Sequence, residues 1–258
     1  MKVVILGSGN VATVLGRKIR AAGHAIVQVT GRNETAVRSL AEELHAAPNI
    51  RPGGVDHSAD IYLAALSDKA LHELHQWLKL NKKMIVHTAA SVSKDVLAGV
   101  SKNYGVLYPL QTLRKEQPNL PDIPFLVDGN TADDLALVQD FAYSLSEKVE
   151  VADDAYRLKI HVAAVLVSNF TNHLYTLASD FCTQKGVAFS MLQPLIEETA
   201  QRLRSLTPQE SQTGPAIRHD DATIARHLDM LQDHPELEKI YELFTENLKK
   251  YKDSSRRS

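Results

Sequence analysis

With a single cysteine, Cys182, the chain of 258 residues cannot close a disulfide on itself, which fits a reducing compartment. Cys182 itself reads as a small buried apolar residue rather than a nucleophile. No apolar run reaches the length of a membrane span. Charge of neither sign dominates: 29 Lys and Arg stand against 31 Asp and Glu, a net −2. Bulk electrostatics therefore give no attraction to nucleic acid or to an anionic membrane. The 11 histidines and one cysteine show no zinc-like spacing, so no metal is expected. His72 and His75, three apart beside Glu73, read as surface residues of a helix. No Ser/His/Asp arrangement, internal repeat or low-complexity segment is legible. The first residues already read as a strand, so no signal peptide is expected, and the expected location is cytoplasmic.

What the chain does have is an ordinary soluble composition, 44% hydrophobic and 23% charged, and length for two modest domains. Its most informative stretch is the start. The apolar run Val3–Leu6 flows into Gly7-x-Gly9-x-x-Ala12, and a helix is expected from Asn10 to Ala22. In this strand–turn–helix setting the glycines gain meaning. Gly7 permits the tight turn, Gly9 lets backbone approach a pyrophosphate, and Ala12 lets the helix pack close to the strand. Free N–H groups at the helix start favour phosphate. Gly7, Ser8, Gly9, Asn10 and Val11 are thus candidate dinucleotide contacts. The competing reading is a tight turn that binds nothing.

The first half alternates short apolar runs with helical patterns, which predicts an α/β fold with a Rossmann-like parallel sheet and helices on both faces. Strands are expected at Ala25–Thr30, Asp60–Ala65, Met84–His87, Gly105–Tyr108, Pro124–Val127 and Lys148–Val151. Asn49–Asp56 reads as a loop or weak strand. Helices are expected from Asn33 to His45, from a cap at Asp68 to about Leu78, and from Thr131 to Ser146, where Thr131 and Asp134 resemble a capping box. After Asp153 the pattern is helical throughout. One long helix is expected to Gln184, then Ala188–Leu206, a start at Thr207-Pro-Gln-Glu210, Ala222–Leu231 with Asp221 as cap, and Glu236–Tyr251. The polar, basic tail from Lys252 is expected to fray. The division is placed near residue 152: 1–152 for nucleotide binding, 153–258 an all-helical domain.

The end of the second strand decides the cofactor. An acidic residue typically sits there to hold the ribose hydroxyls of NAD. This chain has Thr30-Gly-Arg-Asn33 instead. Arg32 suits a 2′-phosphate, with Thr30 and Asn33 adding neutral hydrogen bonds, so NADP is favoured over NAD. Two more loops follow strands at the same sheet edge. Leu66 and Ser67 are placed along the cofactor, and His87, Thr88 and Ser91 toward the nicotinamide and a substrate. Helix capping is the competing role for Ser67, Asp68 and Ser93.

In the second half, His161, Val165, Asn169 and Asn172 fall on one face of the expected helix at about 100° per residue. A polar stripe in an apolar helix needs partners. His161 is a candidate acid or base and Asn169 a candidate for orienting substrate. The alternative is a set of core or interface residues. Thr213-Gly-Pro-Ala-Ile-Arg218 interrupts the helices, either to present Arg218 to an anion or as a connector.

Taken together, the opening fingerprint, Leu66-Ser-Asp68, His87-Thr-Ala-Ala-Ser91, Tyr108-Pro-Leu-Gln111 and Thr213–Arg218 resemble an uncharacterised bacterial family. Its members are Rossmann-like candidate NADP oxidoreductases with a C-terminal domain of unknown function. Wider relatives are pyrroline-5-carboxylate reductase, ketopantoate reductase and the 6-phosphogluconate dehydrogenase-like enzymes. The resemblance implies a helical second domain that dimerises and a small-molecule substrate bound between domains. It also implies hydride transfer between NADPH and a C=O or C=N group. The proton donor stays open among His87, Ser91 and His161. Several relatives carry a catalytic Lys followed four residues later by Asn; here Lys159 is followed by Ala163. That departure keeps alive a second reading, a non-catalytic NADP-binding sensor or assembly module.

Overall fold

The computed structural model describes residues 1–117 and 119–255. Eight strands form one sheet: β1 Lys2–Leu6, β2 Ala25–Thr30, β3 Ala47–Asn49, β4 Ile61–Ala64, β5 Met84–His87, β6 Tyr104–Pro109, β7 Phe125–Gly129 and β8 Val149–Val151. Their order is β3-β2-β1-β4-β5-β6-β7-β8. All pairings are parallel except β6 with β7. The order reverses at β1, which lies between β2 and β4. Ligands of such sheets bind outside the strand carboxyl ends at this reversal.

Both faces of the sheet are covered, which is why its central strands read as unbroken apolar runs. Side chains alternate between the faces. Val3 and Ile5 join one buried cluster with Leu15, Ile19, Leu40 and Phe141. Val4 and Leu6 join another with Leu71, Leu74 and Leu97. The first cluster is built under α1 Asn10–Ala21, α2 Glu34–Leu44 and α4 Ala132–Leu145.

Helix starts follow side-chain chemistry closely. Asn33 caps α2, accepting from the Ala36 N–H at 3.0 Å. Thr131 caps α4, accepting from the Asp134 N–H at 3.1 Å. For α3, Asp68–Glu73, the cap is Ser67 and not the expected Asp68, which sits in the first turn. That helix ends before Leu78 in a 3-10 turn over Leu74–Gln76. The expected loop or weak strand at Asn49–Asp56 is the end of β3 followed by a 3-10 turn, Pro52–Gly54.

The chain divides into two compact units, Met1–Ser168 and Asn169–Ser258. Among the described residues strands end at Val151, and helices follow. The long helix expected from Asp153 is not uniform. It is α5 Asp154–Ala164, a π-helical segment Val165–Phe170, and α6 Thr171–Gln184. The 100° step that groups His161 with Asn169 therefore fails across the π segment; such segments concentrate at functional sites.

The second unit continues with α7 Gln193–Arg202, α8 Pro208–Ser211, α9 Asp221–Leu231 and α10 Pro235–Ser255. Thr207 and Glu210 complete a capping box on α8. The cap of α9 is Asp220, one residue before the expected Asp221. Gly214, at φ 120°, turns the Thr213–Arg218 segment, whose first four residues, through Ala216, line an apolar groove with Tyr241 and Phe244, while Arg218 lies outside the lining. Helix persists to Ser255, into the tail expected to fray; residues 256–258 lie outside the described residues.

Leu15 is fully buried where α1 meets the sheet. Leu15→Ala is expected to lower stability by about 2–5 kcal/mol, because the rigid sheet beneath cannot collapse into the space. Urea unfolding should show this as a lower midpoint at unchanged slope.

Candidate functional site

Gly7 ends β1 with φ 124°, a conformation that a side chain would strain. A Cβ there would also lie 2.2 Å from the Ala65 carbonyl oxygen. The Gly7 N–H donates to the Thr30 carbonyl at 2.7 Å, which ties the turn after β1 to the end of β2. Gly9 then starts α1 with no side-chain cap, and the first turn of that helix holds no acidic residue. A Cβ at Gly9 would meet nothing within 4 Å, so the space beside this backbone is open. Uncapped N–H groups at a positive helix end, beside open space, fit a pyrophosphate.

The cleft at this point has a volume of about 620 Å³ and lies outside the ends of β1, β2, β3 and β4. It brings together Gly7, Ser8, Gly9, Thr30, Arg32, Asn33, Leu66 and Ser67. Asn10 and Val11 stand half-buried in the first turn of α1, outside the lining, and Thr88 is buried beyond it. Several lining residues have structural duties as well. Asn33 and Ser67 cap helices, and the Thr30 hydroxyl accepts from the Asn49 amide at 3.0 Å. The sequence reading missed Ile50, Arg51, Ala70, Glu73 and Trp77. Ile50 and Arg51 follow β3, a strand whose Pro48 and flanking polar residues hide it. Ala70 and Glu73 recur on one face of α3 and were readable only once that face was known.

Along the same sheet edge, a second group of residues gathers within the first unit. His87 ends β5 and is fully buried. Its Nδ1 accepts from the Ala89 N–H at 3.2 Å, so the ring proton sits on Nε2, which has no hydrogen-bond partner among the described residues. Burial pushes the ring down to about 4, and the nearby Arg157 guanidinium adds to this. Asp154, the Ser93 carbonyl and Asp68 oppose it. His87 is thus neutral near pH 7.

Arg157 is the largest fully buried side chain. It donates to the Ala90 carbonyl at 3.1 Å, the Val92 carbonyl at 2.7 Å and the Asp154 carboxylate at 2.7 Å. It clamps the loop after β5 onto α5. Burial alone would raise the Asp154 carboxyl, but the Ser93 hydroxyl and Arg157 outweigh it and hold it below its ordinary value.

Ser91 donates to the Asp68 carboxylate at 3.1 Å. His161, on α5, meets the Tyr108 hydroxyl through Nδ1 at 3.0 Å, the two rings edge to face. Burial raises the Tyr108 phenol, and Arg157 partly offsets it. Lys159 is exposed, and Asn169 is exposed in the π segment at the start of the second unit. Among the described residues no group of three or more His, Cys, Asp or Glu is placed to hold a metal.

Two outcomes follow from this geometry. Gly9→Ala should fold with an unchanged melting temperature yet weaken NADP⁺ binding, whereas Gly7→Ala should itself melt lower. Thermal melts with and without NADP⁺ separate the two; equal melting losses without ligand would show that Gly9 is structural. For His87, the unfolded ring takes a proton below its ordinary 6.5 that the folded ring refuses. Stability should therefore fall as pH drops from 6.5 toward 4, by roughly 1.4 kcal/mol per pH unit from this residue. Urea titrations of the wild type and His87→Gln across that range should diverge; parallel curves would refute the assignment.

Comparison with known proteins agrees with this frame. Residues 2–91 match the family described as NADP oxidoreductase, coenzyme F420-dependent. Residues 123–248 match a domain of unknown function, DUF2520. No curated protein sequence matches. Among solved structures, a candidate NADP oxidoreductase from Bacteroides fragilis is 36% identical, covering 96% of this chain and 98% of its own, with a TM-score of 0.90. A 1-pyrroline-5-carboxylate reductase from Streptococcus pyogenes shares 14% identity over 97% and 98%, with a TM-score of 0.64. A reductive aminase from Aspergillus terreus, solved with NADPH, cyclohexanone and allyl amine, shares 17% over 99% and 93%, with a TM-score of 0.67. The last two show likeness of fold. At 36% identity over nearly both full chains, the first shows more: this protein belongs to the same family as the Bacteroides fragilis protein, a Rossmann-type NADP oxidoreductase domain followed by a DUF2520 domain.

Proposed function

We propose that the protein binds NADP(H) in the cleft beside Gly7 and Gly9 and reduces a small C=O or C=N compound. The observation that carries this reading is the uncapped start of α1, open at Gly9, with Arg32 lining the same cleft. The reductive aminase and the pyrroline-5-carboxylate reductase of like fold support the choice of substrate class. Bound there, NADPH supplies a hydride equivalent. Gly7, Ser8, Gly9, Asn10 and Val11 hold the diphosphate region, Thr30, Arg32 and Asn33 the adenosine phosphate, and Leu66, Ser67 and Thr88 the remainder. We assign residues 1–152 to the cofactor and 153–258 to substrate and dimer contacts. The helical part leaves many large apolar residues in water, among them Phe170, Met191, Leu195 and Leu203, and this concentration supports a homodimer.

Reduction of a C=O or C=N group also needs a proton, and three residues compete to give it. His87 is neutral near pH 7, so it is a poor acid. The Ser91 hydroxyl already donates to Asp68. His161 remains, half-buried, with Tyr108 on Nδ1. Its charged ring would meet the Tyr108 hydroxyl through Nδ1–H and leave the Nε2 proton to give, without the full burial that bars this form in His87. We therefore assign proton donation to His161, with Tyr108 orienting the ring and Asn169 orienting the substrate.

The test is NADPH oxidation against a panel of small ketones, keto acids and cyclic imines, followed by His161→Ala on whichever substrate turns over. The expected result is a loss of roughly 100- to 10,000-fold in kcat with NADPH affinity retained. Wild-type kcat in the variant would remove His161 from the chemistry. Tight NADP⁺ binding with no turnover across the panel would instead establish the sensor or assembly reading.

A further inference from the structure

We infer that Arg51 is a second seat for the 2′-phosphate of NADP(H), acting beside Arg32 and selecting against NAD(H). This rests on the NADP reading above and assigns a residue that reading did not contain. Thr30 and Asn49 are paired rungs at the ends of parallel strands β2 and β3. Arg32 and Arg51 each stand two residues further on, so they leave adjacent strands at the same level. Both line the cleft.

The backbone that presents Arg51 is built with care. The Asn49 side-chain oxygen accepts from the Arg51 N–H at 3.0 Å, and its amide donates to the Arg51 carbonyl at 2.9 Å. The same amide donates to the Thr30 hydroxyl at 3.0 Å, and the Gly31 N–H donates to the Asn49 carbonyl at 3.2 Å. One asparagine therefore fixes the exits of both strands relative to each other. Beyond Arg51, the buried Gln28 donates to the Gly54 carbonyl and accepts from the Asp56 N–H, each at 2.9 Å. The loop carrying Arg51 is anchored at both ends to β2 and β3, the strands that set the phosphate end of the cleft.

Charge points the same way. Neither Arg32 nor Arg51 is in an ion pair among the described residues. The acidic residue of the cleft, Glu73, already has Lys69 at 3.9 Å. Two arginines thus leave adjacent strand ends into one cleft without a counter-charge. A phosphomonoester bears nearly two negative charges and several acceptor oxygens, enough to satisfy both forks. The 2′-hydroxyl of NAD offers neither. Two arginines also explain how the site dispenses with an acidic residue at the end of β2.

The test is calorimetric titration of the wild type, Arg32→Ala and Arg51→Ala with NADP⁺, NAD⁺, 2′,5′-ADP and 5′-AMP. Arg51→Ala should raise Kd for NADP⁺ and 2′,5′-ADP by about tenfold or more, as loss of a charged hydrogen bond requires, and leave NAD⁺ and 5′-AMP within about twofold. Because Arg51 is exposed, the variant should melt like the wild type. An unchanged Kd for NADP⁺, or an equal loss for all four ligands, would overturn the inference while leaving Arg32 and the NADP reading intact. A wild type that binds NAD⁺ as tightly as NADP⁺ would overturn the NADP reading itself, and Arg51 with it.

Discussion

The structure turns on one backbone constraint: β1 must stop, reverse direction and feed α1 while wedged between β2 and β4. Gly7 makes this possible. Its N–H is spent on the Thr30 carbonyl at 2.7 Å, and any Cβ would strike the carbonyl of Ala65. The Ala65 N–H in turn donates to Leu6 at 2.9 Å. The turn is therefore stitched to both neighbours, and three strand ends are brought to one level. The cleft exists because these ends coincide at the point where the strand order reverses. Close packing beneath, with Leu15 and Ile19 of α1 against Val3 and Ile5 of β1, keeps the helix start aimed at that cleft.

How much of this was legible in the chain depended on whether the signal was local. Strand–turn–helix at Gly7 is local, and so are the caps at Thr131 and Thr207, where one side chain meets an N–H three residues on. Arg32 was readable from its place two residues past a clear strand. Arg51 was not, because β3 is short and contains Pro48, so nothing marked its end as part of an edge. Two caps, Ser67 and Asp220, lie one residue before their expected positions. In each case adjacent residues both carry a capping oxygen, and only the non-helical backbone of the earlier one decides. The π segment was hidden for a similar reason: Val165–Phe170 has the composition of an α-helix, and its widened turn is a matter of hydrogen bonding alone.

Buried charge was the least legible feature. Arg157 reads in sequence as one more surface arginine of a helix, yet it is almost fully excluded from water. Sequestering a guanidinium is costly unless its donors are met; here two loop carbonyls and one carboxylate meet Nε and Nη2, while buried Nη1 has no partner among the described residues. Asp154 is a local partner three residues back on α5, but the two carbonyls come from the loop after β5, far off in sequence, where no spacing rule could reveal them. The consequence reaches the chemistry. A positive charge near His87, added to burial, disfavours a second positive charge on that ring. One of the three residues among which the sequence left the proton donor open, His87, is therefore made neutral near pH 7 with the help of an arginine that the sequence reading did not single out.

These electrostatic differences give the sheet edge a direction. At the β2–β3 end, Arg32 and Arg51 concentrate positive charge without a partner. In the middle, the Gly9 turn offers backbone N–H groups and no side chain. At the β5–β6 end, His87 is held neutral and Tyr108 engages His161. Adjacent strands lie about 4.8 Å apart, so the step from β3 to β6 spans roughly 24 Å of edge. That is more than enough for an extended dinucleotide with its reactive ring toward β5. A molecule with two negative regions at one end and an uncharged reactive end matches this gradient in one orientation only. Reversing it would bring phosphate to buried His87, where no counter-charge is free, and leave two arginines unsatisfied. Under the proposed function, charge placement along the edge sets the polarity of binding, and Tyr108 on β6 with His161 on α5, the pair proposed for proton transfer, lies toward the end proposed for the chemistry.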